Sequence, residues 1–281
     1  VSATEKYPST TDDFYFWTDK GEILSPFDII KVQHLPNDTT ITYGIIEEIN
    51  HITDALSHFT NYISSDFGDV QENVGNMNRL GMNYIKAKVI CNTGNIYSPV
   101  IDGKQVALCN AKDIKIALGL DNVKNPIVCG YLQMYKGKET LRIKVELNAN
   151  FLIGPEGAHL NVSGISGLAA KTSYSMFLLN AIQQKFCTED GGDIAFVFFN
   201  VKGRDLMAID EPNDELRPLD KKIYTDELGL RSEPFHNVTY YYPYDNQRPK
   251  NVLTNADIKD VERQKAEKKA FNYKFPCENY L

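Results

Sequence analysis

The sequence predicts two domains of different class, an N-terminal all-β barrel followed by an incomplete α/β domain. Three observations carry this expectation. The chain has 281 residues, room for two domains at roughly 100–200 residues each. Up to about residue 150 it is a succession of short alternating runs, about six in some 120 residues, as in a small closed or half-closed barrel. Near residue 160 the pattern changes. An alternating run passes through two glycines and small residues to Lys171 and Thr172, then into an apolar helical pattern. Strand, loop and helix in that order open a βαβ unit.

Composition sets bounds. Hydrophobic residues make up 42% and charged residues 24%, as in soluble globular chains. The net charge of −7 announces no bulk basic surface, although a local ring of Lys and Arg can still hold nucleic acid. Five cysteines are scattered without C-x-x-C spacing, which argues against a zinc site and for reduced thiols in a cytoplasmic compartment. No apolar run approaches the ~20 residues of a membrane span, and the N-terminus lacks the regions of a signal peptide. A start without Met and a stop directly after an aromatic cluster read as a fragment of a longer protein.

Residues 1–20 read as an N-terminal extension, with 1–13 polar and loose and the patch from Phe14 to Trp17 in strand or packing contact. Residues 21–150 hold the barrel. The run 27–33 mixes apolar and polar residues, and 40–49 carries Gly44, which marks a bulge. Residues 84–90 alternate well, 105–109 and 127–134 are β-rich, and 140–147 alternate throughout. Lys136, Gly137 and Lys138, between the last two runs, are a hairpin signal. An insertion at 51–83 reads as helix plus loop. Its His51 and His58 would share a face if helical, but two ligands are too few for a metal site. Residues 111–119 read as a short helix stopped by Gly119.

Residues 151–281 hold the α/β domain. After a turn-rich link at 151–157, residues 160–163 read as the strand entering the loop, and a broadly buried helix runs from Thr172 to about Lys185. Between them lie Gly164, Ile165, Ser166, Gly167, Leu168, Ala169, Ala170, Lys171, Thr172 and Ser173. Small residues let backbone N–H groups approach an anion, and a helix N-terminus adds favourable partial charge. Lys171 would reach the outer phosphates of a nucleotide, and Thr172 would give a hydroxyl to Mg2+. These two are the candidate catalytic residues, Thr172 the candidate metal ligand, and 164–173 the candidate cofactor-binding loop.

The spacing departs from the usual G-x-x-x-x-G-K-[ST]. Gly164 lies seven and Gly167 four residues before Lys171, and Ala170 directly precedes it. The stretch reads as the pattern with one residue added. A left-handed conformation at Ala170 would cost about 1–2 kcal/mol, so the loop must differ locally. The plain alternative is an ordinary strand–turn–helix.

The apolar run 193–199 suits a central parallel strand and completes the expected βαβ unit. The polar turn after it holds Lys202, Arg204 and Asp205, at the edge where ligands bind in open α/β sheets. Residues 206–211 end in Asp210 and Glu211, like a Walker B strand. They follow the preceding strand too closely for a crossover helix, so a loop or short helix is expected. Residues 235–243 read as a further strand and 256–270 as a charged helix with a solvated face.

Taken in order, the β-rich first domain, the link 151–157, the loop 163–173 and the segment 198–206 resemble the HerA-type branch of the HerA/FtsK ATPases, from about Gly21 to Tyr242. The resemblance implies a HAS barrel followed by a RecA-like P-loop ATPase core. It also implies ATP and Mg2+ as cofactors, a homo-oligomeric, hexameric ring, double-stranded DNA in its pore, and a possible nuclease or effector partner. Lys171 and Thr172 match the family's phosphate-loop pair. Asn200 stands where many relatives carry an acid. The chain offers no convincing Walker B strand, catalytic Glu or Arg finger. Besides a DNA translocase, the residues therefore admit a ring scaffold with a degenerate phosphate loop. A nucleoside kinase would leave a barrel of this size unexplained.

Overall fold

A computed structural model describes residues 1–35, 39–54, 56–64, 80–135, 137, 140–154, 158–165, 170–189, 194–201 and 206–274. The chain forms two compact units. One comprises Val1–Val123 with Leu132–Ile143, the other Lys124–Tyr131 with Lys144–Leu281. The fold is mixed α/β with few helices.

Unit one is built on a curled antiparallel sheet of five strands in the order β1-β4-β3-β2-β5. They are β1 (Asp13–Asp19), β2 (Ile29–Gln33), β3 (Ile41–Thr53), β4 (Gly81–Asn92) and β5 (Val106–Leu108). Period-two alternation sends Phe14, Phe16, Ile30, Val32, Ile85 and Ala87 into one core. Two register irregularities between β3 and β4, at Tyr43/Gly44 and Ile46/Glu48, bend the long strands and turn the sheet into a half-barrel. Gly44 lies at the first irregularity, but the extra residue there is Ile90 on β4, opposite it. A Cβ on Gly44 would stand 2.9 Å from Cε1 of Phe14 and 3.2 Å from the Lys88 carbonyl, so only Gly lets the Phe14 ring cross this point.

The opposite side of β2 and β3 packs on the helix α2 (Ala111–Ala117) and on Met134, Tyr135, Leu141 and Ile143. Asn110 caps α2 and forms a capping box with Asp113. Asp113 also takes the Lys31 ammonium at 2.7 Å and the Tyr43 hydroxyl at 3.3 Å. Burial opposes its charge, but Lys31 and the Asn110 N–H outweigh that and hold the carboxyl below its usual range. Burial and the Asp113 carboxylate push the Tyr43 hydroxyl up to about 12. Lower in the sheet, buried His34 is held by Thr42 at 2.7 Å and Ser98 at 3.0 Å.

Two expectations fail in unit one. Residues 1–13 are not loose. Ser2 N–H donates to the Tyr15 carbonyl at 2.7 Å, Ala3 N–H to Asp102 at 2.8 Å, and the Val1 ammonium to the Lys104 carbonyl. The Tyr7 ring sits 5.5 Å from Tyr15 and 5.6 Å from Tyr84. Polar composition hid this because the ties are mostly backbone bonds. His51 and His58 do not share a helical face either. β3 runs on to Thr53, and His51 pairs with Asn83 across the ladder at 3.2 Å. His58 begins the short helix α1 (His58–Ser64). Residues 65–79 of the expected insertion lie outside the described residues.

The strands β6 (Pro126–Met134) and β7 (Leu141–Asn148) pair with each other as the sequence predicts, with Gly137 at φ 92° between them. The hairpin tip belongs to unit one and its base to unit two.

In unit two a one-turn helix α3 (Asn150–Ile153) precedes α4 (Ala170–Gln184), which continues into a π-helical turn at Lys185–Glu189. Leu178 and Ile182 of α4 pack on Ile127, Cys129 and Ala149. Ala181 packs with Leu228 and Leu230, next to α5 (Pro218–Lys222) and a second π-helical turn, Ile223–Leu228. Further on, β8 (Tyr240–Pro243) pairs in parallel with β9 (Ala270–Tyr273) through the crossover helix α6 (Ile258–Ala266). This minimal βαβ unit encloses Met207, Tyr240, Tyr242, Val252 and Val261.

The expected βαβ unit around α4 does not form as drawn. Residues 160–163 and 194–199 make no strand, and among the described residues no backbone–backbone hydrogen bond involves them; Asp193 lies outside the described set. Ile194 and Phe196 do pack on the α4 core, and Phe198 meets Phe235 edge-on at 5.8 Å. The alternate residues Val197 and Phe199 stand 77% and 84% exposed. The segment satisfies one face without a ladder. Of the expected strand 235–243 only Tyr240–Pro243 is one, and the charged helix is shorter than expected at Ile258–Ala266. Val261 and Gln264 on it are wholly buried, so charge alternation describes only its outer face. Among the described residues no helix is long and apolar enough to cross a membrane.

The bulge opposite Gly44 gives a direct test. Gly44→Ala is expected to destabilise unit one by about 1–3 kcal/mol through overpacking against Phe14. Urea denaturation followed by hydrogen exchange of the β3–β4 amides measures it. A change below about 0.5 kcal/mol, the ordinary scatter of a surface substitution, would show that the Phe14 ring yields freely.

Candidate phosphate-binding site

The site is built at the start of α4. Ala170 is already its first residue and does not take a positive φ. The cost foreseen for a left-handed Ala170 is therefore never incurred, because the helix starts one residue before the Lys. Lys171 Nζ donates back to the Gly164 carbonyl at 3.0 Å, and the Lys171 stem lies 3.3 Å from where a Gly164 Cβ would be. Lys171 thus ties the start of α4 to Gly164. Thr172 is half-buried beside it, and Ser173 and Ile165 are exposed. Ser166, Gly167, Leu168 and Ala169 lie outside the described residues.

The helix start is anchored. The Tyr174 hydroxyl donates to the Cys129 carbonyl on β6 at 3.2 Å, and Ser175 donates back to the Lys171 carbonyl at 2.9 Å. No acidic residue occupies the first turn of α4. The partial positive charge of the helix end and the Lys171 ammonium therefore act together without a fixed counter-charge in that turn. Such an arrangement favours an anion. An exposed hydrogen bond of the Lys171 kind contributes on the order of 1 kcal/mol, so exchanging the Gly164 carbonyl for a phosphate oxygen is inexpensive.

A magnesium ion coordinated by nucleotide phosphates needs only one or two protein ligands, and the Thr172 hydroxyl is chemically suited to be one. The Asp-Glu pair at 210–211 does not join it. As the sequence spacing predicts, 206–211 is a series of turns and not a strand. The Asp210 side chain is 4% exposed. It accepts from Lys269 at 2.6 Å and from the Tyr240 hydroxyl at 2.7 Å, with Arg263 at 3.8 Å. Glu211 holds Arg263 at 2.8 Å. Burial opposes the Asp210 charge, but Lys269 and Tyr240 overcome it and keep the carboxyl below its usual range. Burial, with the Asp210 carboxylate as acceptor, raises Tyr240. This cluster ties β8, α6 and β9 to the 206–211 turns.

Lys202, Arg204 and Asp205 lie outside the described residues, and Asn200 is exposed. Composition and spacing do not foretell a concavity in unit two, lined by residues of β6, α4 and the Ile223–Leu228 turn. Its one sequence signal is Gly130, a glycine inside the β6 run. Neither a protein-family model nor a curated protein matches this chain, so the functional reading rests on the residues and their geometry.

The Asp210 cluster makes a pH-dependent contribution. The folded pKa lies below the unfolded value of roughly 3.9, so the stabilisation is fully present above that value and is lost as pH falls through the folded one. Asp210→Asn is expected to cost on the order of 3 kcal/mol at pH 7, since Lys269 and Arg263 lose their buried partner, and less at pH 2–3. Hydrogen exchange of the β8 and β9 amides at the two pH values measures this. An equal cost at both would assign the effect to shape and not to charge.

Proposed function

We propose that this chain is the ATP-binding subunit of a HerA-like DNA translocase or helicase. On this reading the curled sheet of unit one belongs to a HAS-type barrel and α4 to a RecA-like P-loop domain. The chain forms a homo-oligomeric, hexameric ring around double-stranded DNA and acts with a nuclease or other effector partner. The observation that carries the reading is Lys171, seated in the first turn of a 15-residue helix and folded onto the Gly164 carbonyl. That is where an ammonium must stand to exchange a carbonyl for a phosphate. The anchored, acid-free first turn supports it further.

The roles follow from chemistry. The small residues that the sequence places between Gly164 and Lys171 suit close approach of a main chain to phosphate. Lys171 offsets charge on the outer phosphates during phosphoryl transfer. Thr172 gives its hydroxyl to Mg2+, which when bound neutralises phosphate charge. Ser173 completes the helix-end set of donors.

A second reading is favoured by a specific observation. Asp210 and Glu211, the Asp-Glu pair that most resembles a Walker B end, are taken up by Lys269, Tyr240 and Arg263. A ring subunit that binds nucleotide without hydrolysing it, as a scaffold for an effector enzyme, would need no free pair there.

Fluorescent-nucleotide titration and DNA-stimulated ATPase measurements on the full-length protein separate the two. Lys171 is partly exposed, so Lys171→Ala should leave folding within about 0.5 kcal/mol while lowering Mg-ATP affinity at least about tenfold, the loss of a charge-assisted contact. Under the translocase reading it also abolishes DNA-stimulated turnover. Wild-type binding without turnover selects the scaffold. Unchanged affinity in the variant overturns both.

A further inference from the structure

We propose that the concavity of unit two lined by Tyr131, Tyr174 and Tyr224 is a binding site for an organic cation, an alkyl-ammonium or guanidinium group on an apolar stem. The cleft measures about 540 Å³, large enough for such a group. Its walls are aromatic: Tyr131 of β6, Tyr174 and Phe177 of α4, and Tyr224 of the Ile223–Leu228 turn. Phe177 and Tyr224 meet edge-on at 5.9 Å, and Tyr174 and Phe177 stand 6.2 Å apart. Ring faces carry negative quadrupolar charge and attract cations.

The charged groups have one sign. Glu215 and Asp220 line the cleft, and neither Lys nor Arg is among its lining residues. Asp220 is already engaged by Arg217 through two bonds, at 2.8 and 2.9 Å. Glu215 is exposed, and its backbone N–H is fixed by Asn213 at 3.0 Å. Its carboxylate makes no ion pair among the described residues. A carboxylate without an ion pair in a cleft lined by aromatic rings disfavours phosphate and matches a cation.

Two backbone features point to a built cleft. Gly130 lies in the middle of β6 at φ 143°, and a Cβ there would meet nothing within 4 Å. A strand interior takes a glycine of this kind where a ligand or another backbone comes close. Tyr224 is presented by a π-helical turn, a rare geometry that recurs at functional sites.

The cation can be free or can be a Lys or Arg side chain of another protein. Calorimetric titration of the full-length protein with tetramethylammonium, methylguanidinium and a short Lys- and Arg-containing peptide tests the site. Uncharged isosteres, neopentane-type alcohols and the acetylated, Arg-free peptide, serve as controls. The cations should saturate at one site with at least about fivefold preference over the controls. Glu215→Gln should weaken binding about threefold, and Tyr224→Ala should weaken it further. Glu215→Lys, an exposed change without folding risk, should abolish it. A peptide that binds more tightly than the free cations assigns the source to a protein partner, and the reverse assigns it to a small amine; either upholds the site. Equal affinity for charged and uncharged probes, or cation binding that survives Glu215→Lys, overturns it. Lys171→Ala should leave cation affinity unchanged, so the result is independent of the nucleotide reading.

Discussion

The constraint on which the rest of this structure depends is that a strand needs a neighbour. Backbone N–H and C=O groups are obligatory hydrogen-bonding groups, and unit one is arranged to satisfy them. The long β3–β4 ladder forms its centre, with β1 against β4 and β2 then β5 against β3. The bulges follow from this arrangement. A long antiparallel ribbon with a buried face on each side must curl to close its cores, and extra residues at Ile90 and Glu47 let it curl without giving up the register on either side. Gly44 is where that curl brings a core ring against the backbone.

The same constraint explains what was legible in the sequence. Where apolar and polar residues alternate, as in 84–90 and 140–147, the strand is present because alternation reports a half-buried face. Residues 194–199 read as a strand because they are apolar, but apolarity reports only burial. It supplies no partner, and the segment packs Ile194 and Phe196 while making no ladder. The N-terminal residues failed in the opposite sense. Their composition is polar, yet main-chain bonds hold them, and side-chain chemistry carries no signal for those. The turn at 206–211 was readable from spacing alone. What spacing could not show was that Asp210 would be buried, since its partners Tyr240, Arg263 and Lys269 lie 30–59 residues further on.

The candidate site was legible to a similar degree, for a different reason. A Lys-Thr pair after small residues and before an apolar run fixes a helix end with an ammonium on it, and the structure has α4 begin there. The added residue in the loop was the ambiguous feature. It acquires meaning from the helix starting at Ala170, which puts Lys171 in the first turn and within reach of Gly164. The cleft residues gave almost no signal. Tyr131, Phe177 and Tyr224 are indistinguishable from core aromatics until the chain brings them around one open space.

The helix start matters to both surfaces, and that follows from helical spacing. Residues three apart lie on one face, so Tyr174 stands one turn beyond Lys171. Its hydroxyl bonds to the Cys129 carbonyl, and its ring helps wall the cleft. The anchor that holds the turn of Lys171 in place is therefore also a cleft wall. A charge exchanged at Lys171 does not require that anchor to break, since the ammonium swings on its own stem while the Tyr174 bond holds the backbone. An anion at the helix end and a cation in the cleft would thus be carried by one anchored turn, each drawn by its own electrostatics. The ammonium and helix end attract the first; the rings and Glu215 attract the second.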